Sequence, residues 1–483
     1  MKKYHLRLKE SDWRALRGSL LQEDCMERQA FLEMGKHGGE DEIILHKIVP
    51  ISDCDYAKQN AFFVMPKDEA VVNAYQLFIN SGVCIQGHVH SHPFTEYAHL
   101  SSTDTTTFRK MASSLSGVLW ASNIPGEFLC FQMVLGRNPE GFEGHLTDLK
   151  GEPLGELSDI ITVGDKGINR LAKEKTAKVG SINPLDERLN RNVKWFGAKG
   201  QEIIADTHLA ICGLGGVGAI VAAAARGLGF REITLVDPDK VEPSNLNRLV
   251  GARLDDVGAF KVEVAGRMIQ DVMPETCVNA LPVGIEDPRA QDAILRSDVI
   301  VSAVDGLGPR AELQILAARF LRPLLDLGSG ILVDGSGAIK RMGSQIIVYI
   351  PGMPCLRCQG IDLFAPSYGI AAEIREKTGY VVGGGIEDSF TPTSVVTINQ
   401  VVGGWATDLL IRYLVGLGPI PHYVQIDQWK GKVSELQFEK NPACPICGED
   451  GIEGKGKDYT PPLHSPMAEI ENASDQQLSI PVG

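Results

Sequence analysis

The sequence predicts an α/β protein built from two dissimilar domains, and three observations lead there. A strand–turn–helix–strand unit runs from His208 to Asp237 around Gly213-Leu214-Gly215-Gly216-Val217-Gly218. A second apolar strand, Val83 to Val89, ends in His90-Ser91-His92-Pro93 and is succeeded by Ser101-Ser102-Thr103-Asp104. Two Cys-x-x-Cys pairs, Cys355/Cys358 and Cys444/Cys447, lie far apart in the second half. A chain of 483 residues has room for two or three domains of roughly 100–200 residues. The expected boundaries are a first domain over 1–150, a connection with a helix over 151–185, a second domain over 186–450, and a disordered tail over 451–483.

A net charge of −14 argues against nucleic acid or an anionic membrane surface as the main partner. No window approaches the ~18 uninterrupted apolar residues of a membrane span. Charges in Met1–Arg7 occupy the place where a signal peptide needs an apolar core. Four of the ten cysteines fall into the two close pairs, a pattern of reduced thiols and metal rather than a disulfide framework. The expectation is a cytoplasmic protein.

In the first domain, Ile43–Val49 and Ala61–Met65 read as strands and Asp68–Asn80 as an amphipathic helix. Residues i and i+2 of a strand share a face, so His90 and His92 can converge on one ion. Asp104, at the start of the next helix (expected over Asp104–Ser114), supplies a third ligand. Two imidazoles and a carboxylate leave a zinc position open to water, the arrangement of a catalytic site.

His-Ser-His-Pro with a downstream Ser-x-x-Asp resembles the JAMM (JAB1/MPN/Mov34) metalloprotease signature. The resemblance implies a zinc-dependent peptidase or isopeptidase acting behind ubiquitin-like proteins. It also implies an upstream glutamate that activates the hydrolytic water. Glu27, ahead of Ala30-Phe31-Leu32, matches that layout, with Glu33 as the second choice. The motif serine, Ser101, would orient or stabilise the scissile carbonyl, and His88 reads as supporting or structural. The competing reading is a decayed copy of the motif kept for structure.

The second domain opens at Asp186 with Arg188-Leu189-Asn190-Arg191 and leads into the glycine turn. Glycines there permit close backbone approach, and the helix N-terminus behind them faces a phosphate. Asp237 stands at the offset where an acid meets a ribose hydroxyl. A dinucleotide dehydrogenase shares these features. The residues beyond them do not fit one: Asp237-Pro238-Asp239-Lys240-Val241-Glu242, then Asn245-Leu246-Asn247-Arg248 and Lys261. This run resembles the Rossmann-like ubiquitin-activating/ThiF/MoeB adenylation domain. Adenylation spreads charge over phosphate oxygens, so cations belong around them, and Arg248 and Lys261 fit that task. The resemblance further implies that Arg191 reaches the triphosphate of a partner subunit in a homodimer. It also makes Asp305, after the strand Val299–Val304, the acid that holds Mg²⁺.

Cys355, Cys358, Cys444 and Cys447 can close a tetrahedral zinc site with no open position, a structural site, with redox chemistry as the alternative. Relatives that pass an activated protein onward use a cysteine in the loop corresponding to Gln359–Thr391. That loop contains none here. Either the acyl-adenylate is the end product, or Ser389 accepts the acyl group as an ester.

The combined expectation is a bacterial enzyme of a ubiquitin-like pathway, of the kind associated with conjugation and phage defence. ATP would activate the C-terminal glycine of a β-grasp protein, with a conjugating enzyme as a further partner, and the zinc hydrolase would mature or remove that protein. The alternatives are sulfur-carrier (ThiS/MoaD-like) activation with precursor trimming, and a scaffold without chemistry.

Overall fold

The computed structural model describes residues 1–37, 41–172, 186–333, 339–361 and 394–457. Two compact units emerge. One comprises Met1–Thr162, Arg170–Glu174 and Asp450–Gly483, the other Val163–Asn169 and Lys175–Glu449.

The strands of the first unit are β1 (Lys2–Lys9), β2 (Gln29–Lys36), β3 (Glu42–Pro50), β4 (Tyr56–Asn60), β5 (Phe63–Pro66), β6 (Ile85–Ser91), β7 (Leu129–Leu135), β8 (Phe142–Thr147), β9 (Pro153–Gly164) and β10 (Gly167–Ala172). Eight of them form one mixed sheet in the order β1-β3-β2-β6-β7-β8-β9-β10, with β9 also pairing to β1. The other two, β4 and β5, make a separate hairpin. Strand alternation divides the apolar residues between two cores. Leu32, Met34, Ile85 and Val89 pack with Trp13, Leu16 and Leu20 of α1 (Glu10–Leu20). Phe31 and Cys130 face the other way, against α2 (Asp68–Ser81) and α3 (Ser102–Ala121) through Phe78, Phe108, Ala112 and Leu115. Helix α2 stops at Gly82, whose φ of 73° is a left-handed cap open to glycine. Among the described residues no helix is long and apolar enough to cross a membrane.

Two boundaries differ from the expectation. The connection expected from residue 151 is instead sheet, because β9 and β10 run through Pro153–Ala172. Interleaved Gly, Ser and Asp residues hide its alternation. Asp159 is accommodated in the sheet by Arg170, at 2.7 Å, and by Ser158. Of the tail expected to be disordered from residue 451, residues 451–457 are ordered and pack within the first unit. There the Lys457 N–H donates to the Lys36 carbonyl at 3.1 Å, and His46 Nδ1 meets the Glu453 carbonyl at 2.8 Å. These contacts run largely through backbone, so the Gly- and charge-rich sequence carries no apolar signal for them. Residues 173–185 and 458–483 of the expected connection and tail lie outside the described residues.

In the second unit the strands β11 (His208–Cys212), β12 (Glu232–Val236), β13 (Cys277–Leu281), β14 (Val299–Ser302) and β15 (Leu324–Val333) are parallel. The remaining three, β16 (Ile339–Tyr349), β17 (Tyr423–Asp427) and β18 (Lys432–Leu436), extend the sheet antiparallel. Their order across it is β13-β12-β11-β14-β15-β16-β17-β18. Among the described residues the sheet is accompanied by helices α4 (Asn190–Asp206), α5 (Gly216–Ala225), α6 (Lys261–Gln270), α7 (Pro288–Arg296), α8 (Leu307–Arg319) and α9 (Val396–Val415). The fully buried strands β11 and β14 read as continuous apolar runs because both faces are covered. Between them the strand order reverses, so a crevice opens at their carboxyl ends, where α/β sheets bind ligands.

Candidate functional site

In the first unit His90 lies near the carboxyl end of β6 and His92 directly after it, and α3 brings Asp104 back to them. Ligand atoms of these three residues all lie within 4.8 Å of one another. His90 Nε2 stands 3.4 Å from Asp104 Oδ1, and His92 Nε2 stands 3.6 Å from Asp104 Oδ2. The helix begins at Ser102, two residues earlier than its expected start, which puts Asp104 in the first turn. There it forms a capping box. The Asp104 N–H donates to Ser101 Oγ at 3.1 Å, and the Ser101 N–H donates to Asp104 Oδ2 at 2.7 Å. Ser101 therefore aims the carboxylate. Burial works against ionisation of Asp104, but His90 and the Ser101 bonds outweigh it and hold the carboxyl well below its usual range.

Glu27 precedes β2 and reaches the same cluster, its Oε1 3.9 Å from His92 Nε2. Its backbone is fixed by hydrogen bonding to Asn60 and Gln59 on β4. Burial pushes the Glu27 carboxyl up to about 8, and the charge of Asp104 adds to the shift. Glu33 is excluded from the cluster by register. It sits opposite Gln86, whereas Gln29 sits opposite His90, a separation of roughly 13 Å along the strand. His88, half-buried, packs against Phe31 and Phe108, and the burial of its ring lowers its pKa to about 3.

The cluster fits a divalent ion. His90 is only 5 % exposed; its Nδ1 makes no hydrogen bond, and its Nε2 faces the Asp104 carboxylate at 3.4 Å. A buried polar atom left without a partner costs about 1–3 kcal/mol. Coordination satisfies such an atom, and two imidazoles with a carboxylate form a zinc donor set.

The four cysteines of the second unit also converge, with all Sγ atoms within 4.8 Å of one another. Cys355 and Cys444 are 3.7 Å apart, and Cys358 and Cys447 are 3.6 Å apart. Each pair sits in a tight turn that returns a backbone N–H to its first cysteine, from Gln359 to Cys355 and from Gly448 to Cys444. Four soft donors this close fit zinc with no position left for substrate.

At the carboxyl end of β11, Gly213 has a φ of 86°, and a side chain there would run into the Ala303 carbonyl at 2.5 Å. A Cβ on Gly218 would collide with the Gly213 carbonyl, so both positions require glycine for space. Gly215 opens into free space and Gly216 begins α5. Asp237 is turned onto the protein itself. Its Oδ2 accepts the Leu214 N–H at 2.5 Å and its Oδ1 the Asp239 N–H at 2.8 Å, which pins the glycine turn. Burial raises its pKa, opposed by Lys261 and these two bonds. Lys261 Nζ lies 4.0 Å from Asp237 and 2.7 Å from Asp239, the more exposed of the two acids. The role of Asp239 as a partner of Lys261 is missed by sequence reasoning, although the Asp-x-Asp pattern holds the signal for it.

Arg248 donates to the Ser244 carbonyl at 2.7 Å and to Asn247 Oδ1 at 3.2 Å. Asp305 is exposed two residues beyond Ala303, which walls the turn. Arg191 is exposed at the start of α4. Ser389 lies outside the described residues. Asn399 of α9, buried against Gly216, gives no signal in the sequence.

Residues 189–446 match the ThiF family. The chain is 28% identical over 258 residues to the SAMP-activating enzyme E1 of Haloferax volcanii, covering 53% of this chain and 86% of that one. It is 27% identical over 273 residues to the sulfur carrier protein adenylyltransferase of Thermus thermophilus, covering 54% and 90%. The molybdopterin-synthase adenylyltransferase of Escherichia coli is 26% identical over 268 residues, covering 54% and 96%.

Proposed function

This chain belongs to the ThiF family, and from that premise we propose that its second unit adenylates the C-terminal carboxylate of a small carrier protein while its first unit hydrolyses the bond behind such a carrier. What carries the reading is the presence, in one chain, of a ThiF-type nucleotide turn and a His–His–Asp cluster with a buried glutamate beside it. By their names the relatives activate SAMP or adenylylate a sulfur carrier protein or molybdopterin synthase, which supports a protein substrate here.

In the adenylation step a carboxylate oxygen of the carrier bonds to the α-phosphorus of ATP. The bond from that phosphorus to the β-bridging oxygen breaks, and pyrophosphate leaves. The N–H groups at the start of α5 meet phosphate. Lys261 and Arg248 supply positive charge where the transition state gathers negative charge. Asp305 would hold Mg²⁺, and Arg191 would reach across a homodimer. The finer reading keeps Ser389 as an acyl acceptor and a conjugating enzyme downstream, in a bacterial conjugation or antiphage system.

In the first unit, His90, His92 and Asp104 would hold zinc, which supplies Lewis-acid polarisation when bound. Glu27 takes up and returns a proton, a task suited to a carboxyl tuned toward neutrality. Ser101 keeps Asp104 in place and retains its own O–H to donate.

A second reading, favoured by the Thermus relative, is activation of a sulfur carrier for thiocarboxylate formation. The test is carrier-dependent exchange of pyrophosphate into ATP by the full chain, together with cleavage of a carrier extended past its C-terminal glycine. Both activities are expected. Intact mass then separates a conjugated carrier from a thiocarboxylated one. Absence of exchange with every β-grasp carrier tried would overturn the adenylation reading, and an uncleaved extension would overturn the hydrolase.

A further inference from the structure

A fully buried amide is set against the glycine turn from outside the strand–helix–strand unit that forms it. Asn399, in the first turn of α9, is 0 % exposed. Its Oδ1 accepts the Ser329 hydroxyl of β15 at 3.0 Å, and its Nδ2 donates to Ser394 Oγ at 3.0 Å. A methyl group on Gly216 would run directly into that Nδ2 and come within 3.3 Å of Ser394 Oγ. One turn further along both helices the approach repeats. A methyl on Gly403 would stand 2.6 Å from Ile220 Cγ2. Helices α5 and α9 thus lie side by side with two contacts four residues apart, at Gly216–Asn399 and Ile220–Gly403.

Two contacts one turn apart fix both the spacing and the rotation of a helix, whereas a single contact leaves a pivot. Of the two, the Asn399 contact is the one at the phosphate-facing end of α5. It is also polar, and both ends of the amide have partners, so it holds one orientation.

We propose that Asn399 is a positioning residue for the nucleotide. It sets the first turn of α5, and with it the backbone N–H groups that meet phosphate, against β15 and the start of α9. The assignment rests on the adenylation reading above. It goes beyond that reading by placing control of ATP affinity on a helix distant in sequence from the glycine turn.

The test uses the full-length protein and two readouts, ATP binding by equilibrium dialysis and carrier-dependent pyrophosphate exchange. Asn399→Ala strands two serine hydroxyls and frees the end of α5. It should raise the KM for ATP by about tenfold, the effect of one buried hydrogen-bonding group, with kcat within about twofold, as for lost uniform binding. Gly216→Ala should also weaken ATP binding, because its methyl collides with the amide. In the double variant the smaller side chain makes room, so its KM should be no higher than that of N399A alone. Losses that simply add, or an N399A protein with the KM of the wild type, overturn the assignment. If N399A does not fold, Asn399→Ser in the same cycle with Gly216→Ala is read by the same criteria. A wild-type protein that binds ATP but exchanges no pyrophosphate ends the adenylation reading, and the binding arm still judges Asn399. A wild type that binds no ATP ends both.

Discussion

The two donor clusters among the described residues use the same principle, donors gathered within 4.8 Å, to opposite ends. The first collects two imidazoles and a carboxylate from β6 and α3, only fourteen positions apart in sequence, and sets Glu27 beside them. The second collects four thiols from two turns 89 residues apart and closes on itself. Thiolates satisfy a zinc ion and hold distant segments together. Mixed nitrogen and oxygen donors with an adjacent proton carrier leave chemistry to be done. The contrast teaches that composition of the donor set and its neighbours, more than the convergence itself, separates a staple from a reaction centre.

The largest expected effect tests the staple. Structural zinc contributes about 10 kcal/mol or more in small zinc domains. Cys444→Ser, or chelation, should therefore lower the melting temperature sharply and remove one equivalent of zinc, read by circular dichroism and metal analysis. A chain that melts unchanged without that zinc erases the distinction. Next comes the proposed reaction centre. Glu27→Gln should reduce carrier cleavage by about 10²–10⁴-fold while zinc content and melting temperature stay near wild type. Retained cleavage in that variant would break the comparison from the other side.

A smaller effect sharpens it. Ser101→Ala removes one half of the capping box, worth about 1 kcal/mol, and should weaken zinc binding at the first centre only, measured by competition with a chelating dye. The smallest concerns His46, which the ordered tail holds through the Glu453 carbonyl. Burial lowers its pKa to about 4. Because the folded value lies below the unfolded one near 6.5, His46 contributes stability that is present above pH 6.5 and is lost as pH falls through 4. Denaturant unfolding across that window should show an acid limb that His46→Gln makes shallower, assigned to the first unit rather than the second. An identical acid limb in both proteins would reject it.

Much of the molecule is legible in its sequence. The i, i+2 spacing of His90 and His92 is a local feature, and so is the helix that follows, although it starts at Ser102 rather than at Asp104. The choice of Glu27 over Glu33 comes from the layout of the motif, and register places Glu33 away from the His–His–Asp cluster. The strands β9 and β10 escape a sequence reading because Asp159, buried in the sheet, looks like a loop residue until Arg170 is beside it. Asp237 is expected to face a ribose, yet its carboxylate turns inward to the Leu214 and Asp239 N–H groups. Nothing in a strand-end acid announces which way it points.

By itself, then, the sequence determined the paired histidines, the two Cys-x-x-Cys pairs, the glycine turn and the α/β character, because each is written in short local spacings that backbone geometry converts directly into shape. Tertiary structure alone decided that the two cysteine turns meet, that residues 450–457 lie along the first sheet, and that Asn399 braces Gly216. Those contacts join segments far apart along the chain, and they are set by packing and by buried hydrogen bonds whose partners no local pattern names.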